Sequence, residues 1–303
     1  MLEWIFSENF LVNVIAYAIP IIFAAYASLI SNKAGISAIN IEGAMSVAAV
    51  TGALVSHFAN NWVIGLACAM SAGILMMMLL ALSALKLKAD SFLSGIALNT
   101  FATGACLLIV KGVLDGRTDS STAPSVLVPH VNIPLLSDIP VIGKAIFGQN
   151  LLFFIMLAVL ALLIVLLNCT RLGVQIKTAG YHPEAGESVG VSVKRTRVIA
   201  LIICGAMAGL GGAYLSMANL GYFSAGMVSG RGFIGIAAEA MGAGMPIKTT
   251  LFAFLFGAVD YFAVGGQTVL SFPYELLNTL PYLMTLLALT IYAVAHKKKN
   301  VKK

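Results

Sequence analysis

The sequence predicts an all-α membrane bundle, one domain over residues 1–303, with about nine spans (eight to ten) and a short helix on its cytoplasmic side. Three observations carry this. Sixty per cent of the 303 residues are hydrophobic and only 10% are charged, against about 25% charged in soluble domains. Apolar runs of spanning length, about 20 residues, recur along the chain. Lysine and arginine sort to one side of those runs.

The first span covers about 10–30 and contains Asn13 and Pro20. No charge occurs between Glu42 and Lys86, which leaves room for two spans, roughly 43–57 and 62–85, turning at Asn60-Asn61. The fourth covers about 91–110. A polar external loop, about 111–149, carries Pro124, Pro129, Pro134 and Pro140 and cannot continue the helix. The fifth covers about 150–169 and is followed by a charged loop at 171–197. The sixth covers about 198–219, the seventh 233–246, the eighth 249–263 with Asp260, and the last 277–294. Gly205 and Gly209 form a small-residue pattern that lets helix backbones approach closely.

With the 171–197 loop and the lysine-rich tail placed in the cytoplasm, 14 basic residues lie inside and four (Lys111, Arg117, Lys144, Arg231) outside. That bias sets the N-terminus outside and the C-terminus inside the cell membrane. The tail lysines read as a membrane-proximal cationic segment facing lipid, not as a nucleic-acid surface. Cys68, Cys106, Cys169 and Cys204 show no metal-ligand spacing, so no metal is expected.

Within the charged loop, Pro183 suits the first turn of a helix, Glu184 and Glu187 suit its positive end, and Gly190 suits its stop. The reading is a two-turn helix, either a plain solvated loop or a docking element for a cytoplasmic partner. At membrane depth, charges are costly and usually face a cavity or a partner. Glu42, Glu239 and Asp260 are therefore candidates for a pathway or for interhelical ion pairs with Arg231 or Lys248. The amides Asn13, Asn40, Asn99 and Gln267 are uncharged candidates for a pathway or for interhelical bonds. Phe101, Tyr222 and Phe223 offer flat faces for a base, or anchors at the membrane interface. His57 and His130 have no partner at ligand spacing.

Several blocks resemble ABC importer permeases of the ribose, branched-chain amino acid and nucleoside type. In the loop, Lys177, Gly180, Pro183, Glu184, Ala185, Gly190 and Val191 fit that family's cytoplasmic coupling segment, with Tyr181 and His182 replacing its usual Glu-Asn. Upstream, Lys33, Gly35, Ile39, Ile41, Glu42, Gly43 and Met45 fit a second block, in which Ala38 replaces an Asn and Asn40 follows two positions later. Gly230 to Ala238, Gly242 and Pro246 fit a third, continued by Phe256-Gly257 and Leu280-Pro281-Tyr282, and Asn99 closes a similar Ser-Gly-containing run. The resemblance is nearest to the shorter permease of nucleoside importers.

That resemblance implies a second permease subunit as heterodimer partner, a cytoplasmic ABC ATPase and an extracellular substrate-binding lipoprotein. It implies coupling to the ATPase through Gly180, His182, Pro183, Glu184, Ala185 and Glu187; Asn40, Glu42 and Asn99 of the family-like blocks, with Glu239 and Asp260 for their charge at membrane depth, are the candidate pathway residues. No GxxxxGK[ST] occurs, so this chain holds no cofactor of its own and ATP belongs to the partner. Nucleoside, ribose and other simple sugars stay open as substrates. An ion-coupled transporter using Glu239 and Asp260 leaves the coupling-like loop without a role. A membrane enzyme lacks a clustered constellation.

Overall fold

The computed structural model describes residues 8–130 and 148–266, and five further helical positions at 279, 283, 284, 286 and 290. The described part is helical: α1 (Glu8–Lys33), α2 (Ile41–Ala59), α3 (Trp62–Ala81), α4 (Ser91–Val113), α5 (Leu151–Cys169), α6 (Arg171–Tyr181), α7 (Pro183–Ser188), α8 (Val193–Tyr214), α9 (Arg231–Met241) and α10 (Pro246–Gly266). Seven described helices, α1 to α5, α8 and α10, are long and apolar enough to cross a bilayer. The protein is a multi-pass membrane protein.

Side-chain caps set several starts. Asn61 accepts from Val63 N at 2.8 Å and Asp90 from Leu93 N at 2.9 Å. Asn60 takes the left-handed conformation (φ 47°) that ends α2, so the two asparagines turn the chain from α2 into α3. The core lies where α8 packs on α1, α2 and α3. Glycine makes the closest of these contacts possible. A Cβ on Gly205 would lie 2.6 Å from Ile74 Cα, and one on Gly209 2.7 Å from Met70 Cα. The small-residue pattern is thus the α3–α8 packing seam.

Two expectations need correction. The run 233–246 is not a span of its own: α9 has 11 residues, about 16 Å of helix, against a hydrocarbon core of about 30 Å. It runs alongside α1 in the same direction, with Arg231 over the Tyr17 ring, Gly235 against Ala24 and Ala25, and Glu239 bonded to Asn32. Arg231 also leaves the external tally, because its side chain is only 12% exposed and pairs with Asp260 inside the bundle. The run 277–294 lies largely outside the described residues, as do Gln267 and the tail.

The 171–197 loop holds more structure than a two-turn helix. Thr170 accepts from Gly173 N at 3.1 Å and starts α6, which buries Gly173, Ile176 and Ala179 on one face. The helix opened by Pro183 follows at once as α7. At the opposite end of the bundle, residues 119–128 lie along 217–224. Ser120 N donates to Phe223 O (2.8 Å), Phe223 N to Ser120 Oγ (2.7 Å), Ser125 N to Gly221 O (2.8 Å) and Val128 N to Met217 O (3.0 Å). On that surface, hydrogen bonds from Ser121 hold the exposed Asp119 carboxyl below the usual carboxylate range.

Candidate functional site

The organising feature is that α2 starts partway along its neighbours rather than at their ends. Asn40, fully buried just before α2, donates from Nδ2 to the carbonyl of Met76 inside α3 (3.2 Å). Asn99 holds the same start from α4. Its Oδ1 accepts from Gly43 N (2.8 Å) and its Nδ2 donates to Ile39 O (3.0 Å). Asn99 is eight residues into α4, about 12 Å from that helix's beginning. The segment 34–40 therefore carries the chain to a level about 12 Å along α4 before α2 begins.

The start of α9 meets the start of α2 there. Glu42 Oε1 accepts from Gly230 N (2.8 Å) and Oε2 from Gly232 N (2.7 Å). One carboxylate thus caps a neighbouring helix while standing in the first turn of its own. Gly232 allows the approach, since a Cβ there would lie 2.7 Å from Glu42 Cα. Gly230 takes φ 80°, a left-handed conformation suited to glycine.

Beside this junction lies a partly open cavity of about 550 Å³. Glu42, Ser46, Asn99, Thr100, Thr103 and Phe233 contribute to its wall, together with the 223–229 segment. Its size suits a small polar molecule. Of the five pathway candidates, Glu42 and Asn99 stand in this wall. Asn40 is buried behind it. Glu239 is 6% exposed and accepts from Asn32 Nδ2 (2.6 Å), which ties α9 to α1. Asp260 accepts from Arg231 Nε (3.0 Å) and ties α10 to α9. Among the aromatic candidates Phe223 lines the cavity, while Phe101 and Tyr222 do not. Asn13 donates to Tyr261 Oη (3.1 Å) and joins α1 to α10. Sequence reasoning passed over Ser46, Thr100, Thr103 and Phe233. The available signal was spacing: Glu42 and Ser46, four apart, share one helix face, as do Thr100 and Thr103, three apart.

The coupling-like segment is clamped to the chain that leads into this junction. Arg197, at the base of α8, donates from Nε to Ala34 O and from Nη2 to Ala179 O, both at 3.1 Å. Gly180 packs directly on the α1 terminus, where a Cβ would lie 2.2 Å from Lys33 O. Lys33 Nζ donates to Tyr181 Oη at 2.7 Å. Beyond this clamp, His182, Glu184, Ala185 and Glu187 stand at the end of the bundle, all four exposed.

The sequence matches the family model described as branched-chain amino acid transport system / permease component over residues 10–289. The guanosine ABC transporter permease protein NupQ of Bacillus subtilis is 32% identical over 289 residues, covering 91% of this chain and 89% of the relative. The nucleoside ABC transporter permease protein NupC of Lactococcus lactis is 31% identical over 307 residues, covering 95% and 94%. The putative glucose ABC transporter permease protein TsgC13 of Haloferax volcanii is 28% identical over 265 residues, covering 87% and 79%. No solved structure matches the chain.

Proposed function

Because the chain belongs to the branched-chain amino acid transport system / permease component family, we propose that it forms half of the membrane pathway of an ATP-driven nucleoside importer. It is a transport subunit, and hydrolysis falls to a separate ATPase. The observation that carries the reading is the partly open cavity built where two helix starts meet, beside helices long and apolar enough to cross a bilayer. A cavity that this chain only partly encloses suits a pathway completed by a second permease subunit. The full-length similarity to NupQ and NupC favours a nucleoside, while TsgC13 keeps a sugar as the second reading.

Mechanism follows from connectivity. A cytoplasmic ATPase would press on α7 and on Gly180, His182, Pro183, Glu184, Ala185 and Glu187. Arg197 and Gly180 carry that displacement to segment 34–40. This segment ends at Asn40 and Glu42, so the start of α2 moves and takes the capped start of α9 with it. The cavity wall then changes shape, and access alternates between sides. An extracellular binding lipoprotein would deliver substrate at the face formed by 119–128 and 217–224. In this arrangement the broken pass through α9 and the apolar run 277–294 complete nine passes. The N-terminus is then outside, and the C-terminus is cytoplasmic beside anionic lipid.

Competitive uptake tests the reading. The complete transporter is expressed in a transport-deficient cell supplied with labelled guanosine and excess unlabelled ribose or glucose. Energy-dependent guanosine uptake that neither sugar reduces is expected. Uptake abolished by a sugar, or seen for a sugar alone, overturns the nucleoside assignment and leaves the permease assignment standing.

A further inference from the structure

We infer that Ser46, Thr100 and Thr103 form a strip of hydrogen-bond acceptors that selects a neutral, hydroxyl-rich ligand and rejects anions, an inference that rests on the cavity being the pathway. In the structure each hydroxyl is placed to donate to a carbonyl of its own helix. Ser46 Oγ donates to Glu42 O (3.0 Å), Thr100 Oγ1 to Ile96 O (3.2 Å) and Thr103 Oγ1 to Asn99 O (3.1 Å). What each can still offer a ligand is its lone pairs. Thr100 and Thr103 lie three residues apart on one face of α4, and both are exposed. They meet a ligand as a pair.

Three of the helix-start donors that would serve an anion are already taken. Helix starts are natural anion sites, and two of them meet here. Glu42 occupies the backbone N–H groups of Gly230 and Gly232, and Asn99 Oδ1 occupies that of Gly43. No lysine, arginine or histidine is among the described residues lining the cavity. A carboxylate or phosphate entering it would lose its water and meet acceptors and the Glu42 carboxylate. A ribose diol or an exocyclic amine brings the protons that this wall lacks. The strip therefore separates neutral nucleosides and sugars from the amino acids carried elsewhere in a family named for branched-chain substrates. Phe233, which is 45% exposed and shares the cavity, gives a planar base an apolar face.

The test removes acceptors from the protein and donors from the ligand together. The full transporter, reconstituted with its partner permease, ATPase and binding protein, is supplied with labelled guanosine or its 2′,3′-dideoxy analogue. The same binding protein serves every variant, so changes in preference arise in the membrane pathway. Thr100→Val/Thr103→Val should lower the preference of kcat/KM for guanosine over the analogue by about three- to tenfold. Thr103→Ser, which keeps the acceptor, should leave the preference as in the wild type. Equal losses for both ligands, or an unchanged preference, overturn the acceptor strip while nucleoside transport stands. If the double variant does not assemble, Thr100→Val and Thr103→Val singly decide the matter by the same ratio. A wild type that carries ribose and not guanosine overturns the nucleoside reading instead. Ribose against 2-deoxyribose, in the same variants, then decides the strip.

Discussion

At the scale of single residues, charge within the helix bundle is used here for assembly. The Arg231 guanidinium is bonded to Asp260 at 3.0 Å and to Met227 O at 3.1 Å, and it lies 5.3 Å from the Tyr17 ring centre. With both side chains under 15% exposed, removing one partner strands the other in a medium that solvates it poorly. Asp260→Asn should cost about 3 kcal/mol and lower the unfolding temperature of the purified protein in detergent. Arg231→Met/Asp260→Leu should recover much of the loss, because no charge is left behind. A double variant no more stable than Asp260→Asn would show that the pair's attraction, not the stranded charge, sets the cost. The acids Glu42, Glu239 and Asp260 were all legible as special from their place in apolar runs. Their separate roles were not, because a one-dimensional pattern does not say which helix a carboxylate faces. Hydroxyls were harder still, since Ser46, Thr100 and Thr103 cost an apolar span little and leave no gap in it.

At the scale of elements, the long helices were legible because composition alone marks a 20-residue apolar run. Short ones were not. The α9 run resembles a span in sequence because its apolar residues continue through Gly242 and Gly244, where the helix has already stopped: Ala243 (φ 50°) and Gly244 (φ 65°) take left-handed conformations. The start opened by Pro183 was legible from capping chemistry, whereas α6, with two glycines in 11 residues, looked like loop. The clamp between α6, α8 and segment 34–40 was beyond sequence reading, because it joins residues more than 140 positions apart. It also has a distinct consequence. Gly180→Ala would force a Cβ against Lys33 O, and Arg197→Ala would remove two charge-assisted bonds of a kind worth about 1.5–3 kcal/mol each. Both variants should leave ATP hydrolysis by the assembled complex running while uptake per ATP falls by about tenfold or more. Parallel loss of hydrolysis and uptake would mean that the clamp only holds the fold together.

At the scale of the whole molecule, whether α9 and the segment before it form a pass decides how the chain is threaded. The structure joins a non-helical descent, residues 220–230, to an 11-residue helix that ends beside Lys33. Such a pass is tolerable because its backbone is buried in protein or faces the cavity: Glu42 satisfies Gly230 and Gly232, and segment 119–128 satisfies Gly221 and Phe223. If 220–241 does cross, its two ends lie on opposite sides of the membrane. Leu220, 45% exposed, leads into the descent, and Met245, 51% exposed, lies between α9 and α10. With the four native cysteines replaced, Leu220→Cys should react with an impermeant thiol reagent in intact cells. Met245→Cys should react only after the membrane is opened, because the Lys33 end carries the basic excess that marks the cytoplasm. Labelling of both cysteines from one side would make α9 a surface helix. Glu42 would then cap nothing at membrane depth, and the cavity would cease to be a candidate pathway. Labelling from opposite sides would make the Glu42 junction the midpoint of a broken pass, the place where a small movement of segment 34–40 reshapes the route through the protein.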